Sequence, residues 1–137
     1  MRGRMLVAGA LAALAAVTVA CSSGSDGRSG ARVAVTLHEY AIEPVPKSVP
    51  AGSVTFDAHN AGLEVHNLLV IRTDLGSGEL PMHGSVALET GTLGRTDVLT
   101  AGQDQSVTVD LDPGVYVLIC NVPDHYEAGM YTGFTVT

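Results

Sequence analysis

Apolar and polar side chains alternate along several short stretches of this chain, which is the period of a β-strand with one buried face. Val33, Val35 and Leu37, for example, alternate with Ala34 and Thr36. The same alternation recurs twice further along, and three other short apolar stretches have the length of strands. We therefore predict strands at 33–38, 54–58, 107–111, 65–72, 115–120 and 130–136.

Turn-forming residues separate these stretches, and no amphipathic window of helical length is present. Examples are Pro50-Ala51-Gly52, Asn60-Ala61-Gly62 and Asp112-Pro113-Gly114. Short strands with frequent turns predict an all-β protein, a Greek-key β-sandwich of two antiparallel sheets. Residues 73–99 have the weakest pattern, so we expect a long irregular segment there, with one short strand at 85–88.

The residues that lead into the predicted strand at 115–120 carry a second indication of this fold. Leu111-Asp112-Pro113-Gly114-Val115-Tyr116 resembles the tyrosine corner of Greek-key sandwiches, in which a Tyr hydroxyl bonds to backbone a few residues upstream. A plain Pro-Gly turn followed by a strand tyrosine is the alternative. Both interpretations favour a β fold.

Length and charge narrow the function classes. The chain has 137 residues, which is the size of one domain. It contains 7 Lys and Arg residues against 14 Asp and Glu residues, a formal net charge of −7, and its basic residues are not clustered. Nucleic-acid binding needs a cationic face, so this class of function is disfavoured.

The amino terminus predicts export from the cytoplasm. Two Arg residues precede an apolar stretch of sixteen residues, Met5 to Ala20, which is shorter than the roughly 20 residues of a membrane-spanning helix. Thr18-Val19-Ala20-Cys21 resembles a bacterial lipobox, in which Cys21 becomes lipidated; ordinary cleavage with an incidental Cys21 is the alternative. We expect a signal peptide at 1–20, a flexible tether at 21–30 and a folded domain at 31–137. Removal of 1–20 takes away two basic residues and no acidic one, so the net charge changes from −7 to −9.

One loop contains three side chains that bind soft metals. Cys120, His125 and Met130 are separated by four residues each, and His66 lies far upstream at the start of an apolar stretch. Two His, one Cys and one Met are the ligand set of blue-copper electron-transfer sites. Strand parity places His66, Cys120 and Met130 on the faces of their strands that carry apolar residues. Cys120 ends one predicted strand while His66 and Met130 begin others, so antiparallel pairing would gather them at one end of the sandwich.

The chain from about residue 31 to 137 resembles the cupredoxin family of small blue copper proteins. The resemblance depends on three stretches: Pro50-Ala51-Gly52 with Asn60-Ala61-Gly62, then His66-Asn67, then Pro113-Gly114-Val115-Tyr116 through Cys120, His125, Gly129 and Met130. The Cys-x4-His-x4-Met spacing is most similar to the rusticyanin and sulfocyanin type. No motif aligns over 73–99.

The resemblance implies one type 1 copper ion, bound by His66, Cys120 and His125 with Met130 as the axial ligand. It also implies that Asn67 joins the two ligand segments through hydrogen bonds around the ligands. We expect the edge of His125 to open on an apolar patch formed by Val122, Pro123 and Ala128, with Tyr126 alongside.

The predicted function is therefore that of an electron carrier, not an enzyme, in which one copper cycles between Cu(II) and Cu(I). The partners would be redox proteins such as a cytochrome or a terminal oxidase or reductase, and the expected state is a monomer attached by lipid to the outer face of the cytoplasmic membrane. A soluble periplasmic or secreted protein is the alternative location.

Other functions remain open at this point. A copper storage or delivery protein could use the same ligands, a β-sandwich that binds no metal could carry them by coincidence, and zinc could occupy a His-Cys site. Multicopper oxidases need further His ligands, and five His residues without a His-x-His pair are too few. Met82-His83 could form a secondary copper-capturing site, whereas His38 and His59 have the outward parity of exposed residues.

Overall fold

The structure, a computed structural model, describes residues 30–137 and shows eleven β-strands and no helix in that range. Accordingly, nothing between residues 30 and 137 has the length and apolar character of a membrane-crossing helix. In chain order the strands are β1 (Ala31–His38), β2 (Ala41–Val45), β3 (Ser48–Val49), β4 (Gly52–Asn60), β5 (Leu69–Arg72), β6 (Met82–His83), β7 (Val86–Ala87), β8 (Thr92–Arg95), β9 (Asp104–Leu111), β10 (Gly114–Ile119) and β11 (Tyr131–Val136).

Two sheets form the sandwich. The first has the order β2-β1-β4-β9 and the second the order β3-β11-β10-β5-β8, while β6 and β7 form a separate hairpin. The all-β, Greek-key prediction is confirmed, but the sheets are mixed: β1 pairs with β4 and β3 with β11 in parallel. Parallel pairs arise because the chain leaves the first sheet after β2, adds β3 to the edge of the second sheet and then returns as β4 beside β1.

The main core lies between the two sheets and contains the predicted inward faces. Val33, Val35 and Leu37 of β1 are almost fully buried, as their alternation predicted. Across the sandwich, the rings of Phe56 and Phe134 meet edge to face with centroids 5.2 Å apart. Full burial of each such side chain stabilises the fold by about 1.5–3 kcal/mol, so this layer supplies much of the driving force for folding.

A second core covers the outer face of the second sheet. β5 and β10 are buried on both faces, which explains why their sequences are almost continuously apolar instead of alternating. The segment 73–99 supplies Leu80 and Ala87 to this second core, and the loop after β10 supplies Tyr126. Residues 73–99, the segment with the weakest sequence pattern, therefore supply side chains that cover the outer face of the second sheet. Strand β10 of this sheet leads directly into Cys120.

The structure corrects several strand bounds. β2, β3 and β8 were not predicted, and the strand expected over 65–72 begins at Leu69. In place of one strand at 85–88, the hairpin of β6 and β7 spans Met82 to Ala87. All three of these missed strands lie at sheet edges. An edge strand is covered less completely than a central one, so its sequence alternates less clearly, and Pro44 within β2 hides the pattern further.

The tyrosine corner is present. The hydroxyl of Tyr116 donates a hydrogen bond of 2.8 Å to the backbone carbonyl of Asp112. This bond closes the turn that leads from β9 into β10, the strand after which Cys120 follows.

Candidate metal centre

Three neighbouring backbone segments bring the predicted ligands to one end of the sandwich. Cys120 directly follows β10 and Met130 directly precedes β11, and the pairing of these two strands continues as a hydrogen bond of 3.1 Å from the Cys120 N–H to the Met130 carbonyl. His66 lies outside any strand, in an isolated bridge in which His66 and Leu99 exchange two backbone hydrogen bonds. The predicted gathering of these residues is thus produced by antiparallel pairing, although His66 precedes its strand by three residues.

The loop from Cys120 to Met130 is folded into tight turns. The His125 N–H donates to the Val122 carbonyl and the Met130 N–H donates to the His125 carbonyl, each at 3.0 Å. Gly129 has a φ of 101°, a conformation that residues with a side chain disfavour. These turns direct the His125 side chain back over Cys120.

The donor atoms meet in a buried cluster. Nδ1 of His66 and Nδ1 of His125 are 3.1 Å apart, and Sγ of Cys120 lies 3.9 Å from the first and 3.5 Å from the second. These three residues form the only group of three possible His, Cys, Asp or Glu ligands found within residues 30–137, with donor atoms all within 4.8 Å of one another. Met130 is fully buried in the same core as Cys120.

Burial acts in opposite directions on the His66 and Cys120 ligands. It lowers the pKa of His66, with a further contribution from the charge of His125, so the neutral imidazole that binds metals is favoured. Burial also raises the pKa of the Cys120 thiol, which must lose its proton when a metal binds. Two imidazoles, a thiolate and a nearby thioether suit copper in both oxidation states, whereas harder ions prefer oxygen. The residues present therefore fit one copper ion.

Asn67 joins the two ligand segments as predicted. Its side-chain Oδ1 accepts a hydrogen bond of 2.8 Å from the N–H of Asn121, the residue after Cys120. Its own N–H points at Sγ of Cys120 from 3.5 Å. A donor at this position stabilises the negative charge of a thiolate. These two contacts fix the position of the segment of His66 relative to that of Cys120.

Two carboxylates that the sequence did not indicate face the outer edges of the histidines. Oε1 of Glu39 lies 3.4 Å from Nε2 of His66, and Oε2 of Glu64 lies 3.2 Å from Nε2 of His125. The pKa of Glu39 is lowered to about 2, and the largest cause is the hydrogen bond that its carboxylate accepts from the backbone N–H of Glu64. The Glu39 carboxylate is therefore charged at neutral pH. No periodicity or motif connects these residues to the histidines, so sequence reasoning could not find them.

The surface over His125 contains part of the expected apolar patch together with polar side chains. His125 is only 7% exposed, and Glu64 together with the ring of Tyr40 covers its outer edge; the Tyr40 and His125 rings meet edge to face at 5.2 Å. Val122 packs against the main core and Tyr126 turns into the second core. Pro123 and Ala128 of the expected patch remain exposed, and Glu64 and Tyr40 complete the surface.

Residues 77–89 hold the ligand loop from its other side. The side-chain amide of Asn121 exchanges two hydrogen bonds with the backbone of Ala87, at 2.8 and 3.0 Å. The Tyr126 hydroxyl donates to the Ser77 carbonyl at 2.7 Å and accepts from the Leu80 N–H at 3.0 Å. The segment without a recognisable motif thus fastens both sides of the loop that carries Cys120 and His125.

The remaining histidines lie apart from this centre. Exposed His59 pairs with Asp104, and partly exposed His38 pairs with Glu43, in agreement with their outward parity. Met82 and His83 are exposed on β6 and belong to no ligand cluster within residues 30–137. Cys21, the signal peptide and nearly all of the tether lie outside the described residues.

Comparison with known proteins agrees with this site. Residues 32–137 match the family model described as copper binding proteins, plastocyanin/azurin family. The fold is similar to that of reduced auracyanin from the photosynthetic bacterium Roseiflexus castenholzii, with 24% identity, 79% of this chain and 99% of that chain covered, and a TM-score of 0.61. Auracyanin B is 28% identical, with 77% and 88% covered and a TM-score of 0.58, and reduced rusticyanin is 16% identical, with 79% and 81% covered and a TM-score of 0.58. No curated protein sequence gives a significant match.

Proposed function

Because this chain belongs to the plastocyanin/azurin family of copper binding proteins, we propose that its type 1 copper site carries single electrons between redox partners outside the cytoplasmic membrane. The observation that supports this most directly is the buried cluster of His66, Cys120 and His125 with donor atoms within 4.8 Å of one another. Copper bound there, with Met130 as the fourth ligand, would supply a one-electron Cu(II)/Cu(I) couple.

The protein's contribution is to hold its ligands in nearly one arrangement for both oxidation states. Backbone hydrogen bonds within the loop position His125, and the Asn67 side chain ties the loop to the segment of His66. Cys120, His66 and Met130 are fully buried, which excludes water from the donor atoms. A rigid, dry site keeps the rearrangement that accompanies electron transfer small, which is what a carrier without a substrate of its own requires.

The colour of the copper protein tests this proposal. Cu(II) added to the protein without residues 1–20 should produce the intense blue colour of thiolate-to-copper charge transfer. Cys120→Ser should abolish the colour because it removes the thiolate, and Cys21→Ser, the matched control, should retain it. A colourless wild-type protein, or equal colour in both variants, would contradict a type 1 site.

Burial of the ligands also favours a carrier over a storage or delivery protein. A protein that delivers copper needs an accessible ligand at which the recipient can attack, whereas His125, the most exposed of the four proposed ligands, is only 7% exposed. We expect slow loss of Cu(I) to an excess of a strong chelator, followed as loss of the blue colour after reoxidation. Rapid and complete transfer would favour delivery instead.

The proposed location is the outer face of the membrane, with the lipid attached to Cys21. In a bacterial host, the full-length protein should fractionate with membranes, and Cys21→Ser should move it to the soluble exported fraction while the copper site remains intact. Fractionation that does not depend on Cys21 would support ordinary cleavage and a soluble protein.

The proposed partner is a basic redox protein such as a cytochrome, which this chain would meet as a monomer. Glu64, which contacts His125, is exposed, as are Asp124 and Glu127 on either side of His125 in the loop. Leu63, which precedes Glu64, is 91% exposed. An acidic surface with an apolar residue beside it suits a partner that is guided by positive charge and then packs against an apolar contact. The support for this partner is therefore the combination of exposed acidic residues with an exposed leucine.

A further inference from the structure

Both histidines of the metal centre have the same orientation. Each turns Nδ1 toward Cys120 and Nε2 away from it, and each Nε2 meets a carboxylate oxygen, from Glu39 for His66 and from Glu64 for His125. A neutral imidazole carries one proton, so binding of a metal through Nδ1 requires that this proton reside on Nε2. The carboxylates therefore lie where this proton needs an acceptor.

The Glu39 carboxylate is held in place by the backbone around it. Its Oε1 accepts hydrogen bonds of 2.7 Å from the N–H groups of both Leu63 and Glu64. Gly62 packs directly against the same carboxylate, and a Cβ at that position would collide with it. The loop before His66 is thus shaped around a fixed negative charge.

The outer nitrogen of His66 has no other partner within residues 30–137. His66 is fully buried, and Nε2 is a buried side-chain polar atom that forms no well-aligned hydrogen bond in that range. A buried N–H without an acceptor is costly, and the Glu39 oxygen at 3.4 Å is positioned to offset that cost by charge.

The Glu64 carboxylate is more exposed, but its position is also supported. Oε2 of Glu64 lies 3.2 Å from Nε2 of His125 and 3.4 Å from the hydroxyl of Tyr40, which donates to it. The ring of Tyr40 packs edge to face on the His125 ring. The Glu64 side chain is 50% exposed, so water weakens this contact relative to that of Glu39, which is 32% exposed.

We propose that Glu39 and Glu64 are positioning residues of the copper centre, which keep the proton of each histidine on Nε2 and lower the reduction potential by their charge. This inference rests on the proposed function, since it concerns a bound copper. Acceptors of this kind orient a metal-binding imidazole and raise its basicity. A negative charge behind each ligand favours the more positive Cu(II) over Cu(I), so the pair biases the site toward the oxidised state.

Reduction potentials of three Gln variants test the inference. Gln keeps the size of Glu and retains an oxygen that can accept the backbone N–H bonds, so the loop should still fold. We expect Glu39→Gln to change the ratio of Cu(II) to Cu(I) affinity about tenfold, a rise in potential of about 59 mV for one electron. Glu64→Gln should give a smaller rise because water screens its charge.

Glu43→Gln is the matched control. It removes the same charge from another Glu–His contact, Glu43 with His38 at 3.3 Å, which lies apart from the metal centre. The change in reduction potential that Glu43→Gln causes should be only a small fraction of the change that Glu39→Gln causes. Equal shifts in all three variants would show a general charge effect, and unchanged potentials in Glu39→Gln and Glu64→Gln would show that the carboxylates do not act on the copper; either result would overturn the inference.

A second measurement uses zinc, which binds imidazole and thiolate ligands and is not redox-active. In the zinc-loaded protein, NMR should show slow solvent exchange of the Nε2 protons of both histidines. Gln would retain an acceptor oxygen, so this measurement uses Met, which has a similar length and no oxygen: exchange should be faster for His66 in Glu39→Met and for His125 in Glu64→Met. Unchanged exchange in both variants would overturn the positioning role. A wild-type protein without blue colour would contradict the proposed function instead, so the two failures are distinguishable.

Discussion

At the scale of single residues, one side-chain amide joins the two segments that supply His66 and Cys120. Asn67→Ala removes the acceptor of the Asn121 N–H and leaves that nearly buried group without a partner. We expect the free energy of unfolding to fall by about 1–3 kcal/mol, measured by denaturant titration of the copper-free protein. Gln105→Ala, which removes hydrogen bonds at the surface, should cost no more than about 0.5 kcal/mol. Equal losses would argue against a special role for Asn67.

A second prediction concerns Asp57 and the effect of acid. A hydrogen bond from the Ser106 hydroxyl, with help from Arg32, lowers the pKa of Asp57 below its usual 3.8. Because the folded pKa is below the unfolded one, ionised Asp57 stabilises the fold fully above pH 3.8, and this stabilisation is lost as the pH falls through the folded value.

Denaturant titrations at several acidic pH values measure this dependence. Asp57→Asn should lower stability at neutral pH and flatten the decline of stability below pH 3.8, and Ser106→Ala should produce part of the same change. If the free energy of unfolding of Asp57→Asn fell with pH as steeply as that of the wild-type protein, Asp57 would not be a source of this acid sensitivity.

At the scale of elements, the ligand loop depends on its contact with residues 77–89. Tyr126→Phe removes the acceptor of the buried Leu80 N–H and the donor to the Ser77 carbonyl, so the loop and the segment lose a direct connection. We expect a loss of about 1–3 kcal/mol in the free energy of unfolding, and faster hydrogen exchange in the loop from 120 to 130.

Tyr131→Phe is the control for this prediction. Tyr131 packs beside Tyr126 with ring centroids 5.0 Å apart, and its hydroxyl forms no hydrogen bond within residues 30–137. Its removal should leave both stability and loop exchange close to the wild-type values. Similar effects in the two variants would show that packing, not the hydroxyl contacts of Tyr126, holds the loop.

At the scale of the whole molecule, charge should guide electron transfer. With residues 1–20 removed the net charge is −9, and the exposed carboxylate of Glu64 contacts His125. We expect the bimolecular rate of electron transfer with a basic cytochrome to fall steeply as ionic strength rises, because salt screens long-range attraction. Stopped-flow absorbance measures this rate.

Charge variants separate the docking face from the net charge. Glu127→Gln should reduce the rate at low salt more than Asp110→Asn does, since Asp110 lies near the turn into β10, at the opposite end of that strand from Cys120. Equal effects of the two variants, or no dependence on salt, would contradict a docking face around His125.

Most of the fold and of the ligand set could be predicted because their signals are local. Alternation along β1, β4 and β9 reflects one buried face per strand, and it requires no knowledge of the partner strand. The Cys120, His125 and Met130 spacing lies within one loop, and Asn67 follows His66 directly. The export signal and lipidation of Cys21 are local predictions of the same kind and await experiment.

The sequence by itself thus indicated the β-class, the inward faces of the main core and the proposed copper ligands, since alternation, the spacing within one loop and the His66-Asn67 pair are each local patterns. Only the tertiary structure decided the parallel pairs, the edge strands β2, β3 and β8, the support of the ligand loop by residues 77–89, and the carboxylates behind the histidines. The physical reason is that these features depend on contacts between side chains distant in sequence. Glu39 reaches His66 only after two loops of the folded sandwich come together, and no spacing along the chain records that approach.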